Sequence, residues 1–260
     1  MKHFIVLTLI FRSFFGFTQS NEPILKGEIF TTDINGNFFD ITNNQIIKYD
    51  KNSHKLYSYS NNLLGKISSV DASNPLKIIV FYKDFSKITI LDNNLSEWIK
   101  EVEINEISLE ETSLVCTSYN NSIWFYNPLK FQLYRIENNT ITNSSPHIKN
   151  LLNIDIQPNF MTEYNNRLYV NDFEKGILVF DIYGTYIKTI PILGLKTFQV
   201  KEKFLIYVNS AKQIESYDFL TLEKSTYKPE IYNFVKSVRI ENNTIYIVNE
   251  NNELTIESIQ

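Results

Sequence analysis

The sequence predicts an all-β fold, a single six-bladed β-propeller, and three observations carry that expectation. A short apolar segment ending in an acid recurs along the chain. A second segment, aromatic-rich and ending in Asn, recurs shortly before it. The repeats are spaced by about 41 residues on average, the length of one propeller blade.

The acid-ended copies are IIKYD at 46–50, ITILD at 88–92, LYRIE at 133–137, ILVFD at 177–181 and IESYD at 214–218, with a shortened LTIE at 254–257. Their acids stand at 50, 92, 137, 181, 218 and 257, so successive spacings are 42, 45, 44, 37 and 39. The Asn-ended copies are IWFYN at 123–127, LYVN at 168–171, IYVN at 206–209 and YIVN at 246–249. Three of these runs follow an Asn-led turn: Asn120-Asn121-Ser122, Asn165-Asn166 or Asn242-Asn243-Thr244. β-branched and aromatic residues suit a packed pleated sheet, and Asn tolerates the positive φ that tight hairpins need. Two strand types in fixed order therefore define a strand–turn–strand unit.

The stretch from Asn171-Asp172 to Ile190 contains GILVFD, then Gly184, Tyr186 and Ile187. It resembles an NHL-type propeller blade, and the resemblance implies the propeller fold for the chain.

Residues 1–20 stand apart in composition. Lys2 supplies a positive start, residues 4–11 form an apolar run, and Gly16-Phe17-Thr18 places small residues at the positions a signal peptidase reads. Despite Arg12, this is the pattern of a secretory signal peptide ending at 18 or 20, too short to span a bilayer. No Cys lies near the cleavage region, so a lipoprotein anchor there is not expected. The mature chain, 21–260, is expected to be exported to the periplasm or cell surface without a transmembrane anchor.

The blades are laid out as 31–60, 66–104, 108–148, 155–192, 195–228 and 234–260. The last has three strands, and residues 24–30, ILKGEIF, precede the first blade. They are predicted to supply the fourth strand of the final blade and close the ring, removing exposed sheet edges. Residues 98–104 alternate as a strand rather than a helix. The longest connection between blades lies between 144–147 and 157–159 and offers room for a binding loop.

Charge and chemistry narrow the function. With 25 Lys and Arg against 29 Asp and Glu, the net charge is −4 and no basic stripe suggests nucleic acid. The mature chain has His54 and His147, in different blades and outside any metal-binding spacing. Cys116 is the only cysteine and reads as a small hydrophobe on a buried strand beside the axis. Asp33-Ile34-Asn35-Gly36-Asn37 fails the EF-hand spacing and reads as a type I′ hairpin turn on Asn35-Gly36. Neither a metal nor another cofactor is implied.

The repeated acids Asp50, Asp92, Glu137, Asp181, Asp218 and Glu257 are expected to cap turns rather than to act as a catalytic set. Asp84, Asn127, Asn171, Asp172, Asn209 and Asn249 end second strands or occupy the turns that follow them. Those turns share one end of a propeller, so these residues are the partner- or ligand-face candidates, with turn formation as their competing role. Trp124, Tyr126, Tyr169 and Tyr207 nearby are candidate anchors or core. The leading expectation is a non-catalytic protein-binding or scaffold module of the bacterial cell envelope. One alternative is a metal-assisted hydrolase or lyase resembling the six-bladed lactonases. Such an enzyme would need carboxylates and amides on first-strand ends facing the central channel, where Ser68, Ser69, Cys116, Thr117, Met161, Thr162, Gln199, Lys236 and Ser237 are predicted, offering hydroxyls and few acids. The other is recognition of surface glycan or cell-wall fragments by aromatic stacking.

Overall fold

The computed structural model describes residues 24–103, 111–228, 232 and 234–259. The predicted signal peptide lies outside them. Six antiparallel sheets follow one another along the chain. Blade one comprises β1 (Ile29–Thr32), β2 (Phe38–Ile41), β3 (Gln45–Tyr49) and β4 (Lys55–Ser60). Blade two comprises β5 (Ser69–Asp71), β6 (Ile78–Tyr82), β7 (Lys87–Leu91) and β8 (Glu97–Glu103). Blade three holds β9 (Leu114–Thr117), β10 (Ile123–Asn127), β11 (Gln132–Glu137) and β12 (Thr140–Ser144). Blade four holds β13 (Pro158–Tyr164), β14 (Arg167–Asp172), β15 (Gly176–Asp181) and β16 (Tyr186–Ile190). Blade five runs through β17 (Phe198–Lys201), β18 (Phe204–Val208), β19 (Ile214–Asp218) and β20 (Lys224–Thr226). Blade six has β21 (Val235–Glu241), β22 (Thr244–Asn249) and β23 (Leu254–Ser258). The helical elements described are α1 (Ile148–Leu152), in the long connection, and a 3-10 turn at Lys83–Phe85.

The core is divided among the blade interfaces. Six apolar clusters of described residues each join one blade to the next, and the last joins blade six to blade one. Strand β6 shows why second strands read as unbroken apolar runs. Its alternate residues Ile78, Val80 and Tyr82 pack toward blade one, while Ile79 and Phe81 pack toward blade three. A strand sandwiched between two sheets must be apolar on both faces.

Local turn chemistry agrees with most of the sequence reading. The pairs Asn120-Asn121, Asn138-Asn139 and Asn165-Asn166 have positive φ at both residues, as two-residue hairpin turns require. The carboxylates of Asp50, Asp92, Asp181 and Asp218 each accept two backbone N–H groups of the turn that follows. Glu137 and Glu257 do otherwise: Glu137 accepts from the Asn120 amide at 3.1 Å, and Glu257 pairs with Lys228 at 3.8 Å.

Two expectations are corrected. The turn at Asp33 is not type I′, because Gly36 has φ +83° while Asn35 is not left-handed. Asp33 accepts from the backbone N–H of Asn35 and Asn37, which holds a right-handed turn and leaves Gly36 as the left-handed bulge residue. Ring closure also differs in extent. Residues 24–30 do not form a fourth strand on blade six, because Ile29 and Phe30 already belong to β1, opposite Ile41 and Asp40. The segment does pair with blade six as expected, but among the described residues its backbone pairing there is a bridge between Ile24 and Glu253 and a hydrogen bond from Leu25 N to the Asn252 carbonyl at 2.9 Å, both just before β23. Asp40 pulls the chain away: its carboxylate accepts Lys26 N at 2.9 Å and Gly27 N at 2.7 Å. Only glycine fits at 27, since a Cβ there would stand 2.1 Å from the Ile41 carbonyl oxygen.

Candidate functional site

Because strands alternate in direction, every turn between second and third strands lies at the end of the ring where blade-to-blade connections also run. The candidates Asp84, Asn127, Asn171, Asp172, Asn209 and Asn249 all fall at this turn face. Most of them build the turns themselves. Asn127 accepts from Leu129 N and Lys130 N, Asp172 from Glu174 N and Lys175 N, Asn209 from Gln213 N, and Asn249 from Asn251 N and Glu253 N. Asp84 sits exposed in the 3-10 turn. Asn171 is fully buried and ties blade four to the connection that leaves it: its amide donates to Asn159 at 2.6 Å and to the Leu195 carbonyl at 2.7 Å.

The turns are further pinned to the connections leaving the same blade. Ile67 N donates to the Asn43 carbonyl, Ile148 N to Phe131, Gly194 N to Phe173 and Val235 N to Lys212. Most of the corresponding connection of blade two, residues 104–110, lies outside those described. This bonding holds the face rigid, and on it stand apolar side chains that the sequence reading did not single out. Leu63, Phe85, Leu129, Leu151, Phe173, Leu193, Phe234 and Ile24 are all more than 45% exposed. Two neighbouring pairs are fixed by contacts between turn and connection. Phe85 lies against Gly65, two residues from Leu63, and Phe173 is bonded through its carbonyl to Gly194, next to Leu193. The signal was present, since Asp84-Phe85, Asn127-Pro128-Leu129 and Asp172-Phe173 each put an apolar residue just after the turn-forming one. Among the described residues the opposite end exposes Ile34, Leu76, Tyr119, Tyr183, Leu220 and Leu222.

That opposite end has a different character. There the first strands finish at Thr32, Asp71, Thr117, Lys201 and Glu241, with Glu163 one residue from the end of β13. The lining is therefore richer in acids than predicted. Each acid is engaged by a neighbouring blade. Asp71 accepts Thr117 N at 2.7 Å. Glu163 accepts the Ser118 hydroxyl at 2.6 Å, Tyr119 N at 2.9 Å and the Trp124 indole N–H at 2.6 Å. Glu241 accepts the Thr32 hydroxyl at 2.7 Å and the Gln199 amide at 2.8 Å. Burial raises the Glu241 pKa against those bonds and against nearby Lys201 and Arg239. Burial likewise lowers that of Arg239, opposed by Glu241 and Asp71. Burial, then Asp71 and Glu163, push the Cys116 thiol well up, which makes it a poor nucleophile.

The two histidines among the described residues serve a turn and a helix end. His54 is exposed and contacts Asp50 at 3.1 Å, and His147 caps α1 by accepting Asn150 N at 3.3 Å. Among the described residues no three or more His, Cys, Asp or Glu are placed to hold a metal ion, and no helix is long and apolar enough to cross a membrane.

Fold and site together define a six-bladed β-propeller with an apolar turn face at one end and a charged inter-blade belt at the other. No family model matches the chain, so the NHL resemblance stays a resemblance, and no curated protein is similar to it in sequence. Solved structures with a similar fold include catalytically inactive virginiamycin B lyase from Staphylococcus aureus with quinupristin, at 15% identity and TM-score 0.59, covering 89% of this chain and 80% of that one. The Neurospora crassa Pan2 WD40 domain matches at 10% identity and TM-score 0.58, over 88% of this chain and 73% of that one. BBS1N in complex with ARL6DN matches at 15% identity and TM-score 0.57, over 86% and 75%. At such identities these likenesses show the fold, and they mix a lyase with other propellers.

Proposed function

We propose that this protein is an exported, non-catalytic scaffold that binds another protein of the bacterial cell envelope through its turn face. One observation carries the reading: exposed apolar side chains stand on turns whose backbones are pinned to the adjoining connections. Apolar groups held in water by a rigid frame lose little entropy when a partner covers them. Export rests on the sequence of residues 1–20.

The lyase alternative gains one observation, the carboxylates on the first strands. Each already accepts hydrogen bonds from a neighbouring blade, so the same geometry serves ring assembly. The glycan alternative loses most of its aromatics, because Trp124, Tyr126 and Tyr207 are at most 2% exposed.

The test is affinity capture of the mature protein from its own envelope, comparing it with a Leu129→Ser, Phe173→Ser, Leu193→Ser variant. Stoichiometric capture of one protein that the variant loses, with its fold intact, supports the reading. Equal capture by both, or none, overturns it.

A further inference from the structure

Between blades four and five, away from the turn face, a cleft of about 270 Å³ is lined by Arg167, Tyr169, Val179, Ile187, Lys188 and Phe219. Arg167 follows the Asn165-Asn166 turn and Phe219 follows Asp218, and both positions belong to the end opposite the turn face. Tyr169 pairs with Val179, and Val179 with Lys188, so these three form one row across blade four. Blade five closes the row with Phe219, whose ring stacks on Tyr169 at 5.9 Å and 15°. The Lys188 ammonium stands 5.9 Å from the centre of the same ring.

The cleft has two exposed cations, and no acid is among its lining residues. Arg167 and Lys188 make no salt bridge among the described residues. The Oδ1 of Asp181, opposite Arg167 in the sheet, accepts Tyr183 N at 2.9 Å and Thr185 N at 2.8 Å. Asp218 is held by Lys203 at 2.8 Å.

We propose that this cleft binds a small aromatic carboxylate. Arg167 takes the carboxylate through paired N–H donors, with Lys188 beside it, and the ligand ring lies along Phe219 and the apolar walls of Val179 and Ile187. A guanidinium matches a carboxylate in geometry as well as charge, and an offset ring pair adds to apolar burial. The volume, near the lower limit for ligand pockets, restricts the ligand to a single-ring molecule. This site is independent of the turn face.

Calorimetry on the mature chain tests the assignment, with 4-hydroxyphenylacetate as ligand and 2-(4-hydroxyphenyl)ethanol as its neutral counterpart. Arg167→Gln and Phe219→Leu variants are compared, each checked by its unfolding midpoint. The expected result is saturable binding of the acid below about 1 mM, weakened about tenfold or more by loss of the ligand charge or by either variant. Three results would each overturn it: no saturation by about 10 mM, equal binding of the alcohol, or undiminished binding by a folded Arg167→Gln variant.

Discussion

The backbone N–H of Leu25 donates to the Asn252 carbonyl at 2.9 Å. This is the contact that Gly194 makes to Phe173 and Val235 to Lys212, so the N-terminal segment closes the ring as a blade-to-blade connection. Its side chain completes the seal, buried with Phe38, Tyr246, Val248 and Leu254 between blades six and one.

Removing that side chain should loosen the ring. Leu25→Ala is expected to cost about 2–4 kcal/mol, from lost burial and an unfilled cavity. Gly27→Ala, which drives a methyl into the Ile41 carbonyl, should be at least as damaging. Urea unfolding of the chain from residue 21 onward measures both, and an unchanged midpoint for Leu25→Ala would show that closure lies elsewhere.

Glu163 holds blade three to blade four through three donors. In Glu163→Gln the amide must face at least one of them donor to donor, an expected loss of about 2–3 kcal/mol. Tryptophan emission reports it directly, because the indole of Trp124 is one of the three.

Asn171 and Asp172 are adjacent turn-face candidates with separate structural duties, so neither is a clean binding probe. Asn171→Ala removes a fully buried tie between strands and connection and should cost about 2 kcal/mol. Asp172→Ala removes a turn cap and a 2.6 Å bond from Gln157 N, with a similar loss expected. Thermal melts of the two variants check this before any binding result is interpreted.

Lys77 gives a pH signature. Burial lowers its pKa to about 8, against the attraction of Asp71. Its ammonium reaches the carbonyls of Asn121 and Ser122 in the next blade. The unfolded chain therefore holds more protons than the folded one between about pH 8 and the ordinary lysine range, so stability should rise with pH across that window. The rise between about pH 8 and 10 should be on the order of 2 kcal/mol and should vanish in Lys77→Met. Above about pH 10 the tyrosines raised by burial, such as Tyr126 and Tyr246, oppose it.

The fold was legible because each blade repeats the same local solution. Asp181 and its counterparts must cap a turn after a buried strand, and that need writes an acid every forty-odd residues. What the sequence did not show was which neighbour each polar residue meets. Asn171 and Asn209 both end second strands, yet one is buried between elements while the other caps its turn. Asp71, Glu163 and Glu241 look like solvated strand ends until the ring places a neighbouring blade beside them. Gly36 misled for a local reason: Asn35-Gly36 has hairpin composition, but the Asp33 carboxylate selects the bulged turn.

Site-specific photo-crosslinking tests the proposed scaffold role most directly. A photoreactive residue is placed at Phe173 on the turn face, or at Tyr183 on the opposite end, and the protein is activated in intact cells. The account predicts one discrete protein adduct from position 173 and none from 183. Adducts from 183 alone, or no adduct from either, would contradict it.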